Sequence, residues 1–329
     1  MKKILLLQTG GTIAMQLNSD GPELDSDRWS DLLYKEIPEL SQIADLEADK
    51  VFFEDSSDVN RTHWKLLAEA IFDQYSNYDG FVILHGTDTM AYTASALSFA
   101  LKNLNKPVIF TGSQVPMSNL RSDARRNLVN AVELATHSIP EVAICFNDHL
   151  FRGNRSTKMS IGDFDAFASP NYPHLAEIGI DIKLSENIQN PTGKFECSAV
   201  FDDSIFVLKI HPNMKPSLLE YLDLTKIKVV ILEAFGSGNM PVKGEYNLLP
   251  FIEKCQNQGV HVIITSQAAY DAVKLDQYSS GRAAKKRGAI SAGEMTMEAT
   301  ITKTMYLLGM KLNAEEFRNK FEANLAGER

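Results

Sequence analysis

The chain has 329 residues, of which 44% are hydrophobic and 23% are charged, and its formal net charge is −9. These values are typical of a globular protein of two domains or one large one. The negative charge argues against nucleic acid and anionic membranes as partners, and no stretch approaches the about 20 apolar residues of a membrane-spanning helix.

The cysteines and the start of the chain bear on its compartment. Cys145, Cys197 and Cys255 are widely spaced and form no CxxC motif, so we expect free thiols in a reducing compartment. Met1-Lys2-Lys3 imitates the start of a signal peptide, but the apolar run after it is shorter than the roughly 7–15 residues of such a segment. These observations predict a cytoplasmic protein.

The first predicted strand, Ile4–Leu7, runs into Gln8-Thr9-Gly10-Gly11-Thr12-Ile13-Ala14. The two glycines allow a sharp turn. Ligands of open α/β sheets bind at the carboxyl ends of strands, so Thr12 is either a site residue or a surface threonine of an ordinary loop. The polar residues 15–28 predict a loop, either a lid over a site or a plain surface loop, and residues 29–34 look helical.

Two further strands end in polar segments of the same kind. Val51–Phe53 is followed by Glu54-Asp55-Ser56-Ser57-Asp58, and Phe81–Leu84 is followed by His85-Gly86-Thr87-Asp88-Thr89. A helix follows each segment, and Asn60 or Asp58 is expected to cap the first one. The apolar face of that first helix carries Trp64, Leu67 and Ile71. Three polar segments at strand ends favour a site where they converge.

The alternation of strands and helices continues to the end of the chain. Strands are predicted at 108–110, 142–146, 205–208, 229–232 and 260–264, and helices at 90–102, 123–136, 248–257, 296–308 and 314–325. Such alternation indicates parallel sheets covered by helices. The polar stretch 184–203 is the predicted linker, between an N-terminal domain at 1–183 and a C-terminal domain at 204–329. The predicted fold class is therefore α/β, with two α/β domains: a larger N-terminal one with a mostly parallel sheet and flanking helices, and a smaller C-terminal one.

Two motifs together resemble a known family. TGGTIA at 9–14 and HGTDTM at 85–90 resemble the signature pair of bacterial-type L-asparaginases. RGNRSTK at 152–158 and FDAFASPN at 164–171 are similar to the cytoplasmic type I branch. The likeness runs from residue 3 to about residue 310, and the two predicted domains match the two asparaginase domains.

The resemblance implies hydrolysis of L-asparagine to L-aspartate and ammonia. In that family the threonine matching Thr12 attacks the side-chain amide, and water then hydrolyses the β-aspartyl acyl-enzyme. Thr87, Asp88 and Lys158 match the assisting triad; from periodicity alone, Lys158 would be an ordinary surface lysine. A hydroxyl nucleophile needs such a base, and burial favours the neutral form of lysine that can act as one.

The resemblance also implies how the substrate is bound. Asp55 and Ser56, with Ser57 adjacent, match the pair that grips the α-amino and α-carboxylate groups, and Asp88 faces the ammonium. Backbone N–H groups around Gly11 and Gly86 are candidates for an oxyanion hole. The implied assembly is a homodimer or a dimer of dimers, with the active site near a contact between one subunit's N-terminal domain and its neighbour's C-terminal domain. We expect no metal and no cofactor, because no histidine pair has metal-ligand spacing and no nucleotide-binding glycine motif occurs.

The chain departs from the family pattern at two places. The lid of family members usually carries a tyrosine about ten residues after the nucleophile, whereas residues 18–23 here hold none, and Tyr34 lies too far along the chain to replace it. Some type I enzymes bind asparagine at an allosteric site through an arginine where this chain has Glu233. An acid does not grip a carboxylate as arginine does, so we expect no asparagine allostery through this position.

Three alternatives remain open at the sequence level. One is a glutaminase-asparaginase of broader specificity. Another is the asparaginase-like subunit of an archaeal-type tRNA amidotransferase, which normally carries an extra N-terminal domain, whereas this chain starts at its first strand. The third is a non-catalytic amino-acid-binding module, an alternative that the missing lid tyrosine motivates.

Overall fold

The computed structural model describes residues 1–11 and 33–329, which form two compact units, Met1–Ala199 and Val200–Arg329. Thr12, the predicted lid at 15–28 and most of the predicted helix at 29–34 lie outside the described residues. Residues 33–36 are helical. Within this helical segment, the Tyr34 hydroxyl accepts a hydrogen bond of 2.9 Å from the Leu46 backbone N–H.

An eight-stranded sheet forms the centre of the first unit. Five of its strands are parallel: β1 (Lys3–Gly10), β2 (Asp45–Glu54), β3 (Gly80–Leu84), β5 (Val108–Thr111) and β6 (Val142–Phe146). Three antiparallel strands complete one side: β7 (His149–Arg152), β10 (Ala176–Ile178) and β11 (Ile182–Leu184). The sequence predicted the parallel part, because strands that are buried on both faces read as continuous apolar runs.

The order of the strands determines where a ligand binds. They run β11-β10-β7-β6-β5-β3-β1-β2 across the sheet. The chain passes from β1 to β2 on one side and then returns to β3 on the other side of β1. The carboxyl ends of β1 and β3 therefore border the topological switch point, where crevices form in open α/β sheets.

Helices cover this sheet: α1 (Leu40–Ile43), α2 (Arg61–Gln74), α3 (Met90–Ala100) and α4 (Ala124–Ala135). The start of α2 confirms the predicted cap, because the Asn60 side chain accepts the Thr62 N–H at 3.0 Å and His63 completes a capping box. Trp64, Leu67 and Ile71 are buried, as predicted. The helix predicted at 90–102 ends at Ala100 instead.

Two short ribbons flank the sheet. β4 (Leu101–Lys102) pairs with β12 (Glu196–Cys197), and β8 (Thr157–Lys158) pairs with β9 (Phe167–Ala168). β12 lies within the stretch 184–203 that the sequence predicts as a linker, and the part of it up to Ala199 belongs to the first unit. A pairing with strand β4, about ninety residues earlier, leaves no local signal in a polar stretch.

The second unit contains a four-stranded parallel sheet, ordered β13-β14-β15-β16. These strands are β13 (Ile205–Lys209), β14 (Val229–Ala234), β15 (His261–Ser266) and β16 (Ile290–Ser291). The helices of this unit are α5 (Leu249–Asn257), α6 (Ser279–Lys286), α7 (Met297–Gly309) and α8 (Ala314–Glu322). Gly259 follows α5 with φ +73°, the left-handed conformation that commonly ends a helix.

Helix α6 is absent from the predicted elements. It carries Arg282, Lys285 and Lys286, which form a basic cluster with Arg287. Lys285 pairs with Asp276 at 2.5 Å, and Arg282 donates to the backbone oxygen of Asp276 at 3.0 Å. Arg282 and Lys285 are therefore engaged within their own unit. In the described part of the chain, no helix is long and apolar enough to cross a membrane.

Candidate active site

Glycines bring three strand ends into contact at the switch point. Gly10 and Gly11 end β1 with φ values of +116° and +84°, which favour glycine. A methyl group on Gly11 would lie 2.7 Å from the Gly86 backbone nitrogen, and one on Gly86 would lie 2.7 Å from the Ser56 Oγ. The segments after β1, β2 and β3 therefore touch through backbone that has no room for a side chain.

The segment after β2 presents a fixed carboxylate. Asp55 precedes a short 3-10 helix, Ser56–Asp58, and its Oδ1 accepts both the Ser57 hydroxyl at 2.7 Å and the Ser57 N–H at 2.8 Å. The Ser57 hydroxyl, and after it the backbone N–H, lowers the pKa of Asp55. Asp55 is exposed, whereas Ser56 is buried and its carbonyl accepts the Thr89 hydroxyl at 2.6 Å.

Behind the segment after β3 lies a buried neutral histidine. His85 Nδ1 is 2.7 Å from the Gly86 carbonyl oxygen, and Nε2 is 3.0 Å from the Thr93 hydroxyl. Burial lowers the pKa of His85 to about 4, against the opposing effect of the Gly86 hydrogen bond. Because a carbonyl only accepts, Nδ1 carries the proton and Nε2 accepts from Thr93. His85 thus fixes the Gly86 peptide and takes a structural part.

A lysine joins the next two residues. Lys158 Nζ lies 2.7 Å from Thr87 Oγ1 and 2.6 Å from Asp88 Oδ1. The Lys158 side chain is only 15% exposed, whereas that of Asp88 is 65% exposed. The ammonium is thus largely shielded from water and donates to two oxygens. The carboxylate of Asp88 also faces solvent, where it can meet a ligand.

The ribbon of β8 and β9 carries this lysine to the sheet edge. Lys158 pairs with Phe167 in the antiparallel register, and the Phe167 ring packs 5.0 Å from that of Phe146 on β6. The aromatic contact anchors the ribbon to the sheet. Lys158 and Asp88 are seventy residues apart, so this placement depends on tertiary structure.

The structure thus brings together most of the residues that the sequence singled out. Gly11, Ser56, Gly86, Thr87, Asp88 and Lys158 lie in one continuous set of contacts, with Asp55 and Ser57 beside Ser56. Two carboxylates and one ammonium give this set a net negative charge, which suits a ligand ammonium. Over residues 1–11 and 33–329, no three His, Cys, Asp or Glu side chains form a metal-binding group.

One residue that the sequence reading left without a role also reaches the site. Gln114 follows β5, next to β3 in the sheet, and its Oε1 accepts the Thr87 hydroxyl at 3.2 Å. Applying the strand-end rule to the segment after β5 would have singled it out.

Comparisons with known proteins agree with this architecture. Residues 3–190 match the family model "Asparaginase, N-terminal", and residues 204–321 match "Glutaminase/Asparaginase C-terminal domain". The chain is 40% identical to L-asparaginase 1 of Escherichia coli K12 over 334 aligned positions, covering 99% of this chain and 98% of that protein.

Solved structures give the same result. L-asparaginase I from Vibrio cholerae superposes with a TM-score of 0.88 at 40% identity, covering 99% of this chain and 98% of the other. The thermostable L-asparaginase from Thermococcus kodakarensis gives 0.90 at 35% identity with the same coverage. Both family models and full-length similarity therefore agree: the chain belongs to the asparaginase family.

Proposed function

We propose that the protein hydrolyses L-asparagine to L-aspartate and ammonia, with Thr12 as the nucleophile. The observation that carries the proposal is the double contact of Lys158 Nζ with Thr87 Oγ1 and Asp88 Oδ1. A partly buried lysine between a hydroxyl and a carboxylate is a proton relay in position to serve a second hydroxyl. Thr12 follows Gly11 directly in the sequence, and Gly11 lies against Gly86.

The substrate is held as a zwitterion in this proposal. Asp55 and Asp88 face its ammonium, while Ser56 and Ser57 receive its carboxylate. Fixing the head group sets the side-chain amide against Thr12 and converts the attack into an intramolecular step. Backbone N–H groups at Gly11 and Gly86 stabilise the oxyanion.

The reaction then proceeds through two displacements, the formation of an ester on Thr12 and its hydrolysis. In the first, the Thr12 oxygen bonds to the amide carbon, the carbon–nitrogen bond breaks, and ammonia leaves with the proton that Thr12 gave to the relay. In the second, water adds to the ester carbon, the ester bond to Thr12 breaks, and a proton returns to the threonine. Thr87 and Lys158 carry the proton in both steps.

Assembly and compartment extend the same proposal. We infer a homodimer or a dimer of dimers, with each site near a contact to a neighbouring subunit. Cys145, Cys197 and Cys255 are all free thiols, which fits a reducing cytoplasm. Burial raises the pKa of the Cys145 thiol, so this cysteine belongs to the inert core.

The test is ammonia release by the purified protein, measured with L-asparagine, L-glutamine and D-asparagine beside a Thr12→Ala variant. We expect release from L-asparagine by the wild type and its loss in the variant. Asparagine that binds stoichiometrically without ammonia release would instead identify a binding module.

A broader glutaminase-asparaginase is the second candidate, because the C-terminal family model covers both activities by its description. The ratio of kcat/KM for glutamine and asparagine separates the two. A ratio near one would support the broader enzyme, and a ratio far below one supports the asparaginase.

A further inference from the structure

The side-chain amide of Gln114 connects the two halves of the proposed relay. Its Oε1 lies 3.2 Å from Thr87 Oγ1, and its Nε2 lies 3.2 Å from the carbonyl oxygens of both Ser160 and Asp163. Ser160 and Asp163 belong to the loop between β8, which ends at Lys158, and β9. One amide thus contacts the Thr87 hydroxyl and ties down the loop that follows Lys158.

These contacts fix the orientation of the amide. Carbonyl oxygens only accept hydrogen bonds, so the amide edge that faces Ser160 and Asp163 is the NH2 group. Reversing the amide would set its oxygen against both carbonyls. Oε1 therefore faces Thr87 and, as an acceptor, takes the single hydroxyl proton of the threonine.

A second set of contacts holds Gln114 itself. The backbone N–H groups of Gln114 and Val115 donate to the two carboxylate oxygens of Asp123, each at 3.0 Å. Asn127, fully buried, donates to Asp123 at 3.0 Å and to the Gly112 carbonyl at 2.9 Å. The start of α4 thereby fixes the segment after β5, and the amide has a rigid base.

We propose that Gln114 is a positioning residue that sets the direction of the hydrogen bonds in the relay. Its oxygen holds the Thr87 proton, so the Thr87 oxygen receives the hydrogen bond from Lys158 and not the reverse. This arrangement makes turnover depend on the rotation of one hydroxyl. The inference rests on the proposed asparaginase function, because it assigns Gln114 to that reaction.

Two substitutions separate this role from a purely structural one. Gln114→Met keeps the length but removes the acceptor, so the Thr87 proton is free to turn toward the Lys158 nitrogen. Gln114→Glu keeps an oxygen for Thr87 and adds a negative charge beside the lysine, and it also removes the NH2 group that donates to the Ser160 and Asp163 carbonyls. The first change favours the neutral amine and the second favours the ammonium.

The experiment is the pH–rate profile of asparagine hydrolysis by the wild type and both variants. We expect the acidic midpoint of kcat to move to lower pH in Gln114→Met and to higher pH in Gln114→Glu, each by about half to one pH unit. We also expect kcat to fall about tenfold in Gln114→Met. KM should change less than kcat, because Asp55 and Ser56 lie outside this network and Asp88 connects to Gln114 through two intervening side chains.

The other ionisable groups near the relay do not differ among the three proteins, so a difference in the midpoint of kcat comes from the substitution at Gln114. Asp88 contacts Lys158, and Asp123 contacts the backbone of Gln114. Both carboxylates and the neutral His85 are common to all three proteins. Gln267→Met in the second unit is the matched control, since Gln267 Nε2 also donates to two carbonyls, those of Ile210 and Glu233, at 2.6 and 2.9 Å. It should lower Tm and leave the midpoint unmoved.

The outcomes are distinct. Midpoints that move in opposite directions support the role. Unmoved midpoints in an active, folded Gln114→Met protein, with or without a lower kcat, would overturn it and leave Gln114 as a loop tie only. If Gln114→Met does not fold, Gln114→Ala, which also removes the acceptor, takes its place, and an unmoved midpoint in that variant contradicts the role. A wild type without asparaginase activity would overturn the proposed function and this inference together.

Discussion

The smallest feature on which the site depends is the missing side chain of Gly86. A methyl group there would lie 2.7 Å from both Cβ and Oγ of Ser56, well inside van der Waals contact. Only glycine lets the segments after β2 and β3 approach so closely. The position of Ser56, and with it the proposed site for the substrate's α-amino and α-carboxylate groups, therefore depends on the absence of a Cβ atom at residue 86.

Gly86→Ala should displace Ser56 and lower kcat/KM for asparagine by about a hundredfold, since a shift of about 1 Å in a positioning group has effects of that size. Gly179→Ala is the control, because the nearest atom to a methyl group at Gly179 is 3.8 Å away. Steady-state kinetics of both variants, with circular dichroism to verify the fold, make the measurement. Equal activity of the two variants would contradict the packing argument.

The buried His85 gives the folded state a defined pH dependence. Its pKa is about 4 in the fold, against the ordinary value of 6.5, so the unfolded chain binds a proton that the folded protein does not. Stability is therefore fully present above pH 6.5 and is lost as the pH falls from 6.5 toward 4.

Between pH 7 and pH 4.5 this single group should cost the wild type about 2 kcal/mol of unfolding free energy. His85→Gln removes the titration, so its stability should fall less over the same interval, whatever its value at pH 7. Urea unfolding of both proteins at both pH values gives the loss of unfolding free energy on acidification for each, and the two losses are compared. Parallel pH dependences in the two proteins would show that His85 is not buried as a neutral group.

Among the elements, helix α7 supplies the lysine of a fully buried ion pair. Lys303 and Glu328 are both fully buried and in direct contact, and the Lys303 ammonium also donates to the carbonyls of Phe321 and Ala323, at 2.8 and 2.6 Å. Burial lowers the pKa of Lys303, and the Glu328 carboxylate opposes that shift. Glu328 in turn accepts the Ala326 backbone N–H at 2.7 Å, which ties the last residues of the chain to α7.

Glu328→Gln should destabilise the protein by about 3–5 kcal/mol, because it leaves a buried ammonium without its counter-charge. Asp276→Asn breaks the exposed pair with Lys285 and should cost less than about 1 kcal/mol. The midpoints of denaturant unfolding give both values. Equal costs for the two changes would contradict the account of the buried pair.

The elements also show how far the sequence could be read. Runs such as Phe81–Leu84 and Val229–Leu232 predict buried parallel strands, and the glycine–threonine segments after Ile4–Leu7 and Phe81–Leu84 mark the site. The ribbon of β8 and β9 has no such signal, because two-residue strands have no period to detect. Lys158 therefore looked like a surface residue, and only the family resemblance assigned it to the relay.

The strand-end rule marks the segment that holds Gln114, but nothing in the sequence shows what its side chain contacts. Its partners Thr87, Ser160 and Asp163 lie twenty-seven, forty-six and forty-nine residues away, and no spacing in the sequence links them. The sequence also gave no prediction of the three antiparallel strands, β7, β10 and β11. They are short, and the sequence does not show which strand each one pairs with. Local chemistry was predictable, whereas contacts between distant segments required the fold.

At the scale of the whole molecule, the question is whether asparagine also regulates the enzyme. By the family resemblance, Glu233 matches a position where some type I enzymes use an arginine, and its carboxylate lies 3.4 Å from Lys209 Nζ. A carboxylate paired with its own neighbour repels a second carboxylate and does not bind it.

We therefore expect a hyperbolic dependence of rate on asparagine concentration, with a Hill coefficient near one. Initial rates across a wide concentration range, taken at a protein concentration where the oligomeric state has been measured by light scattering, provide the check. A sigmoidal curve would show that another group binds the effector.

The proposed mechanism requires a covalent ester on Thr12. The most direct measurement is the intact mass of the protein, quenched in acid within the first turnovers on L-asparagine, for the wild type and for Thr12→Ala. We expect a fraction of the wild-type protein to be heavier by one aspartyl group, and we expect peptide mapping to locate this adduct on Thr12. The Thr12→Ala variant should carry no adduct. An adduct on another residue, or ammonia release that survives in Thr12→Ala, would contradict the proposed mechanism.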